Sequence, residues 1–397
     1  MRDKKIIKVI VILSDGIRGH LNQSRGIALW LSKMTGAEIL ETEVPVLTGA
    51  AKARAKKSAA RRLIGGSRRD ARDWLMLADG DSVVRRVGQW FAERNIHEGS
   101  RDVLMISAGS SPALYNLALG YIWSCSCATV MTPSVVGTEP FDYAIVPEHD
   151  NPPRKPNVFV TLGSPNSVIK EELKEEGARL LAEYPPVSET IWSILIGGDD
   201  NNYSITSEWI KKNIGHIMRI AEQEEADLYI TTSRRTSPDA VGTLKSLAAH
   251  SSAVRCLIIA SEDPSNPIPG MIGFSNEVFC TEDSVNMVSE TVTGGHRAVL
   301  LRVMHNRNIK SFLQKVTSSL VGIGALPPDM LWGIPKFDRV FDHFIRHDAL
   351  IEFKDWIIKR RELPKACDNA CLDMMWDEFN EAKRAAQWIY DTWQQIR

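Results

Sequence analysis

Two short polar loops hold the residues of this chain best suited to chemistry, each closing an apolar run of strand length and opening a helical pattern. One is Thr231-Thr232-Ser233-Arg234-Arg235-Thr236-Ser237-Pro238; the other is Thr281-Glu282-Asp283-Ser284, which runs on through Glu290 to Gly294-Gly295. An arginine pair at a strand-to-helix turn suits a diphosphate, because guanidinium forks and the free N–H groups of a helix start converge on one anion. Each such charge-assisted hydrogen bond is worth about 1.5–3 kcal/mol, so two arginines could supply much of a micromolar affinity. Glu282 and Glu290 suit a ribose and the sugar beyond it. Eight positions along a helix amount to about 80° of rotation and about 12 Å of rise, so the two acids would point to similar sides at different depths. Ser233, Thr236, Asp283 and Ser284 join them as donor-binding candidates. The plainer readings are a solvated pair of surface arginines and an acid pair at that spacing by chance; adjacent side chains need not face the same way, so one arginine could bind while the other is structural.

Two further glycine-bearing strand ends qualify. Ser14-Asp15-Gly16-Ile17-Arg18-Gly19-His20-Leu21-Asn22-Gln23 follows the first apolar run. Gly16 and Gly19 let the backbone turn and approach a ligand, at the strand ends where open sheets bind theirs. A free imidazole titrates near neutrality, which makes His20 a candidate general base, with Asp15 its rival; a helix cap beside a surface histidine is the bland alternative. The pattern is not GxGxxG, so no dinucleotide is inferred. Gly109 and Ser110, in Ala108-Gly109-Ser110-Ser111-Pro112, are grouped with it on an acceptor side. Gly197 and Gly198, in Ile196-Gly197-Gly198-Asp199-Asp200, could bring backbone N–H groups against a phosphate, or form a turn without a ligand.

The elements that must position these loops alternate. In the first half the apolar patterns predict strands at 6–13, 38–44, 102–107, 127–131 and 141–146, with a helix over 22–35 and one carrying Trp74 and Trp90. Residues 150–190 are Pro-rich, as an interdomain connection would be. A second alternation predicts strands at 191–196, 227–231, 253–260, 277–281 and 298–303, with helices near 204–224, 238–250 and 283–293. Strands separated by helices favour parallel sheets covered on both faces. The expectation is an α/β chain of two domains, 1–165 and 185–335, followed by helices over 336–397, with Trp356, Trp376, Trp388 and Trp393, packing across both.

A length of 397 residues suits two cores, and 44% hydrophobic with 24% charged residues is the composition of a soluble globular chain. No apolar run is long enough for a membrane span, and the start reads as a strand and not as a signal peptide. Six cysteines fall in apolar or helical segments, without a zinc clip, and are expected to be reduced thiols; no metal site is expected. The formal charge of −1 gives no reason to propose nucleic acid. Its distribution is uneven: Lys52 to Arg72 carries nine Lys or Arg and one acid, Asp70. That stretch fits an amphipathic segment on an anionic membrane, or a solvated loop.

Several of these motifs, in order, resemble a known family. Ser14-Asp15-Gly16, Gly19-His20, Asn22-Gln23, Phe141-Asp142, Pro147-Glu148-His149-Asp150, Thr161-Leu162-Gly163, Gly197-Gly198, Thr232-Ser233-Arg234-Arg235-Thr236 and Thr281-Glu282-Asp283-Ser284-Val285 with Met287-Val288-Ser289-Glu290 are similar to the signatures of the mitochondrial-fission family called elongated mitochondria one and its bacterial relatives. Where relatives show Arg-His-Asp after the proline, this chain has Glu148-His149-Asp150. The resemblance implies a glycosyltransferase-like fold of two facing Rossmann-like domains, the GT-B type. The acid spacing also resembles retaining GT-B enzymes, which implies Glu290 at the ribose and Glu282 on the sugar side. The expected function is then a cytoplasmic glycosyltransferase, peripheral at the inner membrane, with a nucleotide-sugar donor, no cofactor, and a lipid-linked or polysaccharide acceptor. A non-enzymatic scaffold of the same fold that recruits a protein partner is the alternative.

Overall fold

Apolar residues that alternate along short runs become parallel strands buried on both faces. The computed structural model describes residues 6–46, 50–150, 152, 154–200, 202–305, 337–361 and 379–395, the side chains of 50–54 and 149 excepted. Trp376, Cys367 and Cys371 lie outside the described residues. The chain divides into unit 1, Met1–Ser167 with Asn380–Arg397, and unit 2, Val168–Phe379.

Unit 1 runs β1 (Val9–Ser14), α1 (Arg18–Thr35), β2 (Glu38–Glu43), α2 (Ala50–Ala60), a 3₁₀ turn (Arg61–Leu63), α3 (Arg68–Leu77), α4 (Asp81–Glu93), β3 (Val103–Ala108), α5 (Ser110–Trp123), β4 (Ser126–Val130), β5 (Tyr143–Pro147) and β6 (Val158–Thr161). Its sheet has the order β2-β1-β3-β4-β5-β6, parallel throughout. Because side chains alternate across a strand, Val9, Val11 and Leu13 pack with Trp74, Phe91 and Tyr115 on one face. Ile10 and Ile12 pack with Ile27 and Leu31 of α1 on the other.

Unit 2 runs α6 (Lys170–Glu183), β7 (Ile191–Leu195), β8 (Tyr203–Ser204), α7 (Ser207–Trp209), a π-helical turn (Ile210–Ile214), α8 (Gly215–Gln223), β9 (Asp227–Thr231), α9 (Pro238–Ala248), β10 (Val254–Ile258), α10 (Ile268–Phe274), β11 (Glu277–Thr281), α11 (Val285–Thr293), β12 (Ala298–Leu301), β13 (Met304–His305), α12 (Phe337–Arg346), β14 (Leu350–Glu352) and α13 (Phe353–Lys359). Its parallel sheet has the order β10-β9-β7-β11-β12-β14. Counted in chain order within that sheet, this is 3-2-1-4-5-6, the arrangement of dinucleotide-binding folds. Trp192, Ile194 and Phe279 face Trp356 and Leu244, while Leu195, Val278 and Cys280 face Met271 and Val288.

The described elements depart from the sequence expectations at informative places. Residues 150–190 are more than a connection, since they supply β6 and α6, and the units part at Ser167/Val168. Trp74 and Trp90 lie on two helices, α3 and α4. The segment 336–397 does not stay together. Leu350–Glu352 pairs with β12 as the sixth strand of unit 2, while α14 (Glu381–Gln395) packs in unit 1, where Ile389 and Trp393 join the Ile10 side of the core. Cys125, Cys127, Cys256 and Cys280 are free thiols. Among the described residues no helix is long and apolar enough to cross a membrane.

The anchor of α14 is a buried carboxylate. Glu381, 3% exposed, accepts the Leu162 amide at 3.0 Å and the Arg384 guanidinium at 3.0 Å, and Trp388 stacks on Phe159 at 5.5 Å. Burial pushes the Glu381 carboxyl up to about 7, against the opposing pull of Arg384 and the Leu162 and Gly163 amides. A carboxyl with a raised folded pKa binds its proton more tightly folded than unfolded. Its contribution to stability is therefore present below the ordinary 4.5 and lost as pH rises through about 7. The loss across that window is on the order of 3 kcal/mol. Urea denaturation of unit 1 is expected to become easier over this range, and Glu381→Gln to flatten the dependence; parallel profiles for the two proteins would show that Glu381 is not the group responsible.

Candidate functional site

A doubly wound sheet leaves a crevice where its strand order reverses, because the loops after the two strands there run to opposite faces. In unit 2 the reversal falls between β7 and β11. Three loops meet at it, those after β7, β9 and β11. Gly197 donates its amide to the Thr281 hydroxyl at 2.7 Å, and Gly198 donates to the Asp283 carboxylate at 2.8 Å. Thr236 donates its hydroxyl to the Gly197 carbonyl at 2.5 Å, and Asp199 donates its amide to the Arg235 carbonyl at 3.0 Å. Both glycines are demanded by space: a Cβ on Gly197 would lie 2.0 Å from Asp283 Oδ2, and one on Gly198 would lie 2.2 Å from the Arg235 backbone. The glycine amides are therefore committed to internal acceptors and do not point at an anion.

The arginines separate as their adjacency permits. Arg234 is exposed. Arg235, 44% exposed, lies 3.3 Å from Asp283 and 3.6 Å from Asp200, and its guanidinium reaches the Gly198 and Asp199 carbonyls at 3.4 Å. Ser233 and Thr236 shape the turn: the Ser233 amide donates to Thr236 Oγ1 at 3.0 Å and the Arg235 amide to Ser233 Oγ at 3.2 Å. Ser237 and Ser284 cap α9 and α11, accepting from Ala240 and Met287. Burial raises the Asp283 carboxyl above its ordinary range, against the pull of its hydrogen bonds and of Arg235.

The two glutamates are not related by a helix. Ser284 caps α11, so Glu282 stands ahead of it in the loop, its amide donating to Leu301 at 3.1 Å, and the 80° relation does not apply. Its carboxylate, 1% exposed, accepts the Val303 amide at 2.7 Å and Arg302 at 2.8 Å. Arg302 also grips Glu352 at 2.6 Å, so Glu282 joins the ends of β11, β12 and β14. Glu290 is half-buried on α11. The sequence reading missed Arg302. The available signal was a cation directly following the apolar run Ala298–Leu301.

In unit 1 the reversal lies between β1 and β3, and the acceptor-side candidates gather there. α1 begins at Arg18, four residues before the predicted start, with no side-chain cap at Ile17 to mark it. His20 is thus on the first turn of a helix. Its Nδ1 lies 3.0 Å and 3.2 Å from the two Asp15 carboxylate oxygens, so the rivals form one pair. Asp15 also accepts the Ile17 amide at 3.2 Å. Gly109, with φ +88°, lies flat against the imidazole, where a Cβ would come within 2.6 Å of Cε1. Ser110 accepts the Ser134 amide at 2.9 Å. Gly16 is exposed with φ +77°, and Gly19 is half-buried on α1. Among the described residues no group of three His, Cys, Asp or Glu side chains is placed to hold a metal ion.

Two doubly wound α/β units, each built on a parallel six-stranded sheet and with the last helix returned to the first unit, make up the described chain. The chain belongs to the family Mitochondrial fission ELM1, whose model matches residues 18–393. No curated protein matches the sequence. It is similar to the UDP-GlcNAc 2-epimerase of Neisseria meningitidis solved with UDP-GlcNAc, at 13% identity and TM-score 0.48 over 98% of this chain and 100% of that one. It is also similar to MurG of Acinetobacter baumannii, at 12% and 0.41 over 98% and 100%, and to a glycosyltransferase of Rickettsia africae, at 10% and 0.46 over 98% and 99%.

The convergence of the three loops is testable through its glycines. Gly198→Ala forces the Arg235 turn away and is expected to cost about 1–3 kcal/mol. Gly242→Ala, on the exposed side of α9 with nothing within 4 Å of the added carbon, should instead stabilise by about 0.5–1 kcal/mol. Thermal melts read both; equal melting temperatures for the two variants would mean that the loops are not packed as described.

Proposed function

We propose that this protein is a glycosyltransferase that moves a sugar from a nucleotide-activated donor, bound by unit 2, to a hydroxyl of a cell-envelope lipid or polysaccharide acceptor bound by unit 1. The observation that carries the reading is the meeting of Arg235 and the N-terminus of α11 at the switch point of a sheet with dinucleotide-binding strand order. A half-exposed guanidinium beside the N-terminus of a helix is matched to a diphosphate. Glu290 is assigned the ribose hydroxyls. Glu282 is assigned no step on the sugar, because its carboxylate is consumed in holding β12.

The proton path follows from the pair in unit 1. A carboxylate can only accept, so Asp15 fixes the Nδ1–H tautomer and leaves His20 Nε2 with its lone pair outward. The acceptor hydroxyl gives its proton to Nε2 while its oxygen bonds to the anomeric carbon. The bond from that carbon to the diphosphate oxygen breaks, and the electron pair leaves with the nucleoside diphosphate. Arg235 and the α11 amides meet the charge that develops there.

A recruiting scaffold is the second reading, and one observation favours it: the Gly197 and Gly198 amides, Arg235 and Glu282 are all engaged within the chain. The two readings part under substitution. Arg235→Ala is expected to weaken a nucleotide diphosphate by about 1.5–3 kcal/mol, and Arg234→Ala by little. His20→Ala should leave that affinity intact and lower turnover by about 10²–10⁴-fold. Calorimetric titration with a panel of nucleoside diphosphates and their sugars tests the first, and sugar transfer the second; a folded protein that binds none of the panel is a scaffold.

A further inference from the structure

The basic stretch after β2 folds into a preformed surface. α3 is amphipathic: Ala71, Trp74 and Leu75 are buried, while Arg69, Arg72 and Met76 share the opposite, exposed side at helical spacing. α2 is held against it, since the Trp74 indole donates to the Lys56 carbonyl at 3.0 Å. The turn between them is held as well, the Tyr121 hydroxyl donating to the Leu63 carbonyl at 2.9 Å. Two of the basic residues are spent locally, Lys56 on Asp79 at 2.7 Å and Arg68 on Glu98. Asp70 is taken up in the capping box with Ser67. Arg61, Arg62, Arg69 and Arg72 remain exposed and form no ion pair among the described residues. Beside them three large apolar side chains stand in solvent: Ile64 is 46% exposed, Met76 63% and Leu77 47%.

We propose that this α2–α3 surface of unit 1 docks on an anionic lipid bilayer, the arginines lying at the headgroups and Ile64, Met76 and Leu77 entering the interface. Arginine forks match lipid phosphates, and apolar side chains beside them add burial that a purely electrostatic contact lacks. Nucleic acid is the poorer fit: its binding faces add stacking aromatics to the charge, and the exposed apolar residues of this surface are aliphatic. Asp73 on the same side leaves the surface net positive. The docking stands on this surface alone; combined with the transferase reading, on which that step rests, it selects a lipid-linked acceptor over a soluble polysaccharide.

The test is co-sedimentation of the full chain with phosphatidylcholine vesicles that contain or lack phosphatidylserine. Binding should require phosphatidylserine and weaken in 1 M salt, where screening shortens to about 3 Å. Each basic residue near such a surface contributes about fivefold, so Arg61→Gln with Arg69→Gln should lower partitioning by about 25-fold. Met76→Ser should lower it while leaving the steepness of the salt dependence unchanged. Circular dichroism and nucleotide binding, both independent of this surface, report that each variant is folded. Equal binding to both vesicle types, binding to neither, an unaffected arginine variant, or tighter binding to an oligonucleotide than to vesicles would each overturn the proposal. Nucleotide binding without vesicle binding would leave the transferase reading standing without it, and vesicle binding without nucleotide binding would do the reverse.

Discussion

The close approach of Gly197–Gly198 to the loops after β9 and β11 is the constraint on which the rest of unit 2 depends. A parallel strand ends in amides and carbonyls that the ladder no longer pairs, and at a reversal point the neighbouring loops diverge and cannot pair them either. Here the deficit is met by side chains. Thr281 and Asp283 accept the glycine amides, and Thr236 donates to the glycine carbonyl. That solution works only without a Cβ at either position. It also places Asp283 where burial resists its charge, so that Arg235 is drawn in beside it. The cation at the switch point follows from a backbone requirement on the neighbouring strand.

Unit 1 solves the same problem with different chemistry. Its loop after β1 turns at Gly16 and returns a carboxylate to the first turn of α1, where Asp15 takes the Ile17 amide and the His20 ring together. Gly109 supplies the floor of the ring. The two sheets therefore carry unlike groups on like topology: a carboxylate–imidazole pair in one and a cation beside a helix start in the other.

The legible part of this architecture was the part decided locally. β1, β3, β7, β9 and β11 are short apolar runs bounded by polar turns, and every strand buried on both faces must look so. β14 escaped because it is three residues long and owes its place to pairing with β12 at the sheet edge. β6 lay in a Pro-rich segment with Val160 turned outward, 38% exposed, which breaks the apolar signal. Among the site residues, His20, Asp15 and Arg235 could be found because motif and strand end coincide. The fate of Glu282 could not be read, since its partner Arg302 is set by the register of β11 against β12, a non-local fact. The start of α1 was hidden for the opposite reason: Ile17 provides no cap to read.

Two arginines near the same strand ends illustrate how geometry separates support from function. Arg302 makes short contacts of 2.8 Å to Glu282 and 2.6 Å to Glu352, and one of those carboxylates is 1% exposed. Removing it would leave a buried charge unmatched, which costs several kcal/mol, so Arg302 is not available to a passing ligand. Arg235 meets Asp283 and Asp200 at 3.3 Å and 3.6 Å, although its 44% exposure and the 0% of Asp283 are close to the 40% and 1% of Arg302 and Glu282. Distance, and not burial, separates the two arginines. Asp283 also accepts the Gly198 amide at 2.8 Å, a partner that does not depend on Arg235.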